Sequence, residues 1–503
     1  MAKILPQIQN IVVVMFENRS LDNLCGWLYS NPTPQPSLYL PAGSPSCFNG
    51  LNPSCWNPSN PDYFTGAAPN RVSVVPGTTS FLIPDPDPEE TFENVTYQLY
   101  GPQGAVPNPK WPNQGFVVNY EKRGSSNTNQ IMETYTAAQV PVLSALAQNY
   151  AISDAWFCSV PSQTLANRAF VHSGASNGEV NNGILPDPFD FDAPTIFNVL
   201  QKIGARWKVY SNTEITPSLT RTFAPRLWDS KFDPNFARVT AFERDCASSS
   251  LPQYSFIEPS FLVDPNDQHP PHDVGAGEQF LYRIWQAVSQ SPAWNNILLV
   301  ITYDEHGGCY DHVLPPWGAA PPQTRFGEWI RAVRRFFCRT WCFFAGCTCP
   351  NFKFDRFGLR VPAVVVSPYI QAGTVFRSNT STPYDHTSIL ATLRDWLQIP
   401  AADMLSSKRI AAAPTLDQVL TLAAPRMAKP VIPPPRIAPT IAPPPTLPGL
   451  DEMPLNDLQK SLVSGFARRS GQNRGLAVKQ TPNRGRAIAH FTQRREMILS
   501  KDK

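Results

Sequence analysis

The chain has 503 residues, 42% of them apolar and 11% aromatic, so it can bury a large core and is not a disordered polymer. Only 16% of residues are charged and 54 are proline, which excludes coiled coils and helical repeats and predicts long irregular connections. The net charge is +3, but residues 451–503 hold 11 Lys and Arg against 5 Asp and Glu. The remaining body is slightly acidic, which argues against nucleic acid as a partner.

In chain order, the first strong signal is Ile8–Phe16 (IQNIVVVMF), apolar on both faces and therefore a buried strand. Asn296–Tyr303 and Val361–Val366 read the same way. Helical patterns fall between them at Pro141–Asn149, Pro194–Lys202, Gly277–Gln290 and Ser388–Leu397. Alternation of this kind predicts an α/β three-layer sandwich, a mostly parallel sheet flanked by helices. Residues 30–115 and 318–355 read as long loop insertions. Ten of the 24 residues from Pro425 to Pro448 are proline, an extended linker over 425–450. The catalytic domain is expected to span 1–424. A basic tail over 451–503, with one helix at Leu455–Phe466, is expected to be largely solvated.

No run of 18 apolar residues occurs, so no membrane-spanning helix is expected. The start, Met1-Ala2-Lys3-Ile4-Leu5-Pro6, lacks the apolar stretch of a secretory signal. The expectation is a cytoplasmic protein or one exported by another route. Ten cysteines leave disulfides and free thiols both open. Cys47 lies near Cys55 in sequence. Cys338, Cys342, Cys347 and Cys349 have no usual zinc-ribbon spacing.

Three loops carry chemistry. The first strand ends in Glu17-Asn18-Arg19-Ser20, with Asp22 after it, which places two hard oxygen ligands where α/β sheets bind ligands. A helix N-cap with an acidic first turn is the structural alternative. The second core strand ends in Asp304-Glu305-His306-Gly307-Gly308, with Asp311 and His312 close behind. Adjacent carboxylates leaving an apolar strand repel unless neutralised, and a divalent cation is the simplest partner. The third is Gln163-Thr164-Leu165-Ala166-Asn167-Arg168. A hydroxyl at a helix start sits among free N–H groups that stabilise an anion, and a nearby metal would activate it as a nucleophile. Six of the seven histidines stand beside these features or similar polar breaks, including His269, His272 and His386.

Glu17-Asn18-Arg19-Ser20-Leu21-Asp22, Thr164-Leu165-Ala166-Asn167-Arg168, His269-Pro270-Pro271-His272, Thr302-Tyr303-Asp304-Glu305-His306-Gly307-Gly308 and His386-Thr387-Ser388-Ile389-Leu390 occur here in one order. In that order they resemble the phosphoesterase family, which holds bacterial and plant non-specific phospholipases C and acid phosphatase A-type enzymes. The resemblance covers about residues 8–400 and implies an alkaline phosphatase-like fold. It implies that Glu17, Asn18, Asp304 and Glu305 ligate a divalent metal (calcium, zinc, magnesium or manganese) and that Thr164 is the nucleophile. His272, His312 and His386 would line the phosphate pocket, one protonating the leaving group, with Asn167, Arg168, His269, His306 and Asp311 binding substrate around them. Ala166 stands where the family often has proline, a scaffold change that removes no oxygen ligand.

The implied activity is phospholipase C-like cleavage of glycerophospholipid phosphodiesters. An acid phosphatase-type phosphomonoesterase is the alternative, and an inactive interaction module is the reading from another class. Trp27, Tyr29, Phe336, Phe337, Trp341, Phe343 and Phe344 raise the expectation of an apolar rim in peripheral contact with a membrane. Packing within the core is the other reading of these aromatics.

Overall fold

The computed structural model describes residues 4–30, 33–125, 127–182, 192–213, 215–322, 352–435 and 451–494. Phe336, Phe337, Trp341, Phe343, Phe344 and the four cysteines of 338–349 lie outside those residues.

Nine strands form the main sheet: β1 Asn10–Phe16, β2 Leu38–Leu40, β3 Ala151–Ser153, β4 Trp207–Ser211, β5 Phe236–Arg238, β6 Tyr254–Glu258, β7 Ile297–Tyr303, β8 Ala363–Val366 and β9 Thr374–Phe376. Their order is β5-β4-β6-β1-β7-β8-β3-β9-β2. The sheet is mixed. β8 runs antiparallel to both β7 and β3, and the other pairings are parallel. The central strands β1 and β7 are buried along their whole length, as their near-continuous apolar runs require when helices cover both faces.

The register between β1 and β7 decides where the chemistry goes. Asn10 pairs with Ile297 and Phe16 with Tyr303, so both strands end at the same level. The residues that follow, Glu17-Asn18 and Asp304-Glu305, emerge side by side.

The principal helices are α1 Leu21–Cys25, α2 Phe92–Tyr100, α3 Pro141–Asn149, α4 Thr164–Ser173, α5 Leu219–Phe223, α6 Val274–Gln290 and α7 Thr387–Trp396. α3 packs on α6, and α4 packs on α7. Residues 33–115 form short strands, turns and α2 around a second apolar core of Trp27, Val95, Leu99, Phe116 and Tyr310. Trp27 and Tyr29 are each 7% exposed, so neither belongs to an apolar rim. The six described cysteines are free thiols, Cys47 and Cys55 among them.

The C-terminal segment differs from the solvated tail expected from its composition. It folds as α8 Asp457–Arg469, α9 Arg474–Gln480 and α10 Arg484–Gln493. Leu458, Leu462, Val463, Phe466 and Phe491 are buried in the main core, and α8 packs on α5. Its apolar residues are few but fall on one helical face, and that face decides the fold over the mean composition. Among the described residues no helix is long and apolar enough to cross a membrane.

Candidate active site

The end of β1 turns at once. Asn18 adopts a left-handed φ of 52°, a region that asparagine tolerates. Its backbone N–H donates to Asp304 Oδ1 at 2.9 Å. Glu305 N donates to the same oxygen at 2.8 Å. Gly307 holds a positive φ, and a Cβ there would overlap the Asn18 carbonyl, so the two loops approach this closely only because the residue is glycine.

Thr164 is the first residue of α4. Its Oγ1 stands 3.3 Å from Glu17 Oε2 and 3.3 Å from Asn18 Oδ1. The next residue, Leu165, donates its N–H to Asn182 Oδ1 at 2.9 Å, which fixes the helix start. Glu17, Asn18, Arg168, Asp304 and Glu305 are fully buried, and Thr164 is 1% exposed. The fold therefore gathers Glu17, Asn18, Thr164, Asp304 and Glu305, from three separate parts of the chain.

The electrostatics of this group are unbalanced. Arg168, one turn along α4 from Thr164, pairs with Glu17, and its Nε lies 3.7 Å from Asp304 Oδ2. Its guanidinium also rests 5.4 Å from the Phe261 ring. Burial pushes the Glu17 carboxyl well above the ordinary range, and Arg168 only partly offsets this. Burial, then Asp304 and Glu90, push Glu305 up as well. Asp304 Oδ2 and Glu305 Oε1 are buried without a hydrogen-bond partner. Three buried carboxylates against one arginine, with two oxygens left open, make a donor set that fits a hard divalent cation.

The histidines divide into different settings. His269 accepts from Asn18 Nδ2 at 3.1 Å and donates from Nδ1 to Pro270 O at 2.7 Å. Burial pushes it down to about 4, so it is neutral. His386 donates from Nε2 to Asp304 O at 2.6 Å and receives Trp156 Nε1 at 3.4 Å. Burial lowers it too, and both nitrogens are committed to holding the loop after β7. His272 donates from Nδ1 to Asp267 Oδ1 at 2.7 Å. No hydrogen bond to a described residue engages its Nε2, and its side chain is 13% exposed.

Four residues expected around the phosphate have other partners. Asn167 spends its amide on the turn before Thr164, bonding Val160, Ser162 and Gln163. His306 donates to Gln98 Oε1 at 2.9 Å, and burial pushes it down to about 3. Asp311 and His312 join Asp22 and Arg360 instead. Arg360 Nη2 lies 2.9 Å from Asp22 Oδ1, and its Nε lies 3.0 Å from Asp311 Oδ1. His312 Nδ1 donates to Asp22 Oδ2 at 2.6 Å and its Nε2 reaches Asn49 Oδ1 at 3.1 Å. Asp22, Asp311 and His312 bring three ligand atoms within 4.8 Å of one another. The Arg360 guanidinium already supplies the cation there, so this group is weaker as a metal site than the Glu17–Glu305 cluster.

Sequence reasoning missed Asp267, which orients His272 and whose carbonyl accepts the Glu17 N–H at 2.9 Å. It also missed Gln163, which donates to Glu90 Oε1 at 3.1 Å. Asp267 sits in the His269-Pro270-Pro271-His272 stretch. A carboxylate five residues before a histidine was the available signal.

The profile of the Phosphoesterase family matches residues 8–400, the span that holds every residue of this cluster. The chain belongs to the Phosphoesterase family. It is a phosphoric ester hydrolase. It is 33% identical over 482 residues to a non-specific phospholipase C3 of Arabidopsis thaliana, covering 93% of this chain and 83% of that one. It is 27% identical over 434 residues to a phospholipase C A of Mycobacterium tuberculosis (strain ATCC 25618 / H37Rv), covering 80% and 75%. Among solved structures, a protein in the alkaline phosphatase superfamily from Vibrio parahaemolyticus aligns with a TM-score of 0.32 at 12% identity, covering 56% of this phosphoesterase and 65% of that chain.

Proposed function

We propose that this phosphoesterase is a phospholipase C-like hydrolase that cleaves glycerophospholipid phosphodiesters through Thr164. The carrying observation is the Thr164 hydroxyl, buried and 3.3 Å from oxygens of both Glu17 and Asn18. The identity to relatives named phospholipase C, at 33% and 27%, supports the diester over the monoester as substrate.

Glu17, Asn18, Asp304 and Glu305 would hold a divalent metal. Bound there, the ion supplies Lewis acidity and lowers the pKa of a neighbouring hydroxyl. Thr164 passes its hydroxyl proton to Glu17 Oε2, 3.3 Å away, and its Oγ attacks phosphorus to give a phospho-threonine that still carries the head group. The diacylglycerol oxygen leaves and takes a proton. Water then attacks the phospho-threonine and frees Thr164 together with the head-group phosphomonoester. The α4 N-terminus favours anionic charge at the phosphoryl oxygens. Arg168 keeps Glu17 and Asp304 turned inward. Proton donation to the leaving oxygen is assigned to His272, because Asp267 holds its Nδ1 and no described residue engages its Nε2.

Parallel assays on p-nitrophenyl phosphorylcholine and p-nitrophenyl phosphate test the reading. Turnover of the diester is expected. Turnover of the monoester alone would defeat it.

A further inference from the structure

The charge of α8–α10 is one-sided. From Leu458 to Arg494 the chain carries eight Lys and Arg and no Asp or Glu. Lys460, Lys479 and Arg486 are exposed. Lys460 is met by Asp457 at 3.1 Å, but no described residue forms an ion pair with Lys479 or Arg486. Leu476 on α9 is an apolar side chain left 54% exposed among these charges. The three helices form one body: the Phe466 ring of α8 lies 5.0 Å from that of Phe491 on α10, and α8 packs on α9.

That body stands at the catalytic end of the sheet. β4 and β6 run parallel with β1, so their carboxyl ends lie where Glu17 emerges. α8 packs on α5, which follows β4. Gln459 of α8 donates to Phe261 O, just past β6, at 2.9 Å, and the Phe261 ring carries the Arg168 guanidinium at 5.4 Å. Leu82, 41% exposed, stands at this end too. It precedes Ile83, whose carbonyl accepts from Arg19 in the loop after β1 at 2.8 Å.

Like charges gathered on one body repel, and no acidic residue within the segment offsets them. An extended anionic surface does. The anionic leaflet of a bilayer is such a surface, and each Lys or Arg close to it strengthens binding about fivefold. Nucleic acid fits less well, because the rest of the chain is slightly acidic. We propose that α8–α10 dock the protein on anionic phospholipid bilayers, with Lys479 and Arg486 against lipid phosphates and Leu476 at the interface. Docked this way, the Thr164 end of the sheet is held at the membrane. The choice of a bilayer rests on the phospholipase C-like reading.

The test is co-sedimentation of the full chain, carrying Thr164→Ala so that the lipid stays intact, with two kinds of vesicle: phosphatidylcholine alone, and phosphatidylcholine mixed with phosphatidylserine. Tighter binding to the mixed vesicles is expected, weakening as salt rises. Adding Lys479→Gln and Arg486→Gln should weaken it about 25-fold, fivefold for each charge. With Thr164 retained, that double variant should turn over soluble p-nitrophenyl phosphorylcholine at the wild-type rate. Equal binding to both vesicles, an unaltered affinity in the double variant, or tighter binding to duplex RNA than to the mixed vesicles overturns the docking surface. Loss of soluble turnover in the double variant overturns it as well, since the two side chains would then be structural. Vesicle binding as expected, with no wild-type turnover of the soluble diester, upholds the surface and defeats the phospholipase reading instead.

Discussion

Arg168 offers a sharp test of how the site is held together. Its guanidinium is fully buried, pairs with Glu17 and approaches Asp304 Oδ2 at 3.7 Å. Arg168→Met keeps much of the side-chain volume, and the thioether can still lie on Phe261. What it removes is, among the described residues, the cation that faces two buried carboxylates. Breaking one side of a buried pair costs about 3–5 kcal/mol, which for a chain of this size lowers Tm by about 3–5 °C. The assay is thermal unfolding in the presence of a chelator, so that no ion compensates for the lost arginine. Glu17→Gln on the same background removes the stranded charge and should restore most of the loss, because an absent pair costs far less than half of one. Arg168→Met unfolding within 1 °C of the wild type, or a double variant no more stable than Arg168→Met, would refute the claim that this arginine neutralises the cluster.

Thr164→Ala should lower kcat on p-nitrophenyl phosphorylcholine by about 10⁴-fold or more, while Thr164→Ser keeps measurable turnover; an alanine variant above a tenth of wild-type kcat sinks the nucleophile. Stripping divalent ions and adding back manganese should stabilise the fold by about 2.7 kcal/mol at a hundredfold excess over Kd and raise Tm with it, and Glu305→Gln should abolish that rise. The Asp22–His312 pair gives a pH signature. Burial opposes the charged His312 ring, but the bond and charge of Asp22 outweigh it and raise its pKa above 6.5. Its contribution to stability is therefore full below pH 6.5 and is lost as pH rises through the folded value. The stability deficit of His312→Gln should be largest at acid pH and fade above neutrality; a deficit independent of pH between 5 and 9 would contradict it. Phe466→Ala empties a buried position on α8 and should cost about 3–5 kcal/mol in chemical unfolding; an unchanged midpoint would mean that the C-terminal helices do not share the core.

The parts of this molecule that could be read from sequence are those fixed by local pattern. β1 and β7 are apolar on both faces, and the segment Pro141–Asn149 begins with proline and ends where its apolar spacing ends. Short strands such as Leu38–Leu40 and Thr374–Phe376 carry no period of their own, and they exist because neighbouring strands offer hydrogen bonds. The antiparallel sense of β8 was equally hidden, since a buried VVV run fits either direction. The same division runs through the site. Carboxylates and a hydroxyl at strand and helix ends advertise themselves, because a charge or hydroxyl leaving a core element needs a partner. Orientation does not. Asn167 and Arg168 are adjacent on one helix, yet one amide closes its own loop while the other side chain reaches β1. His306 and His312 flank the same glycine turn and face opposite partners, Gln98 and Asp22. Which of two neighbouring polar residues faces a shared centre depends on where the long connections of 30–115 place Asn49, Glu90 and Gln98. Those connections are held by contacts between residues far apart in the chain, and no spacing within a motif encodes them.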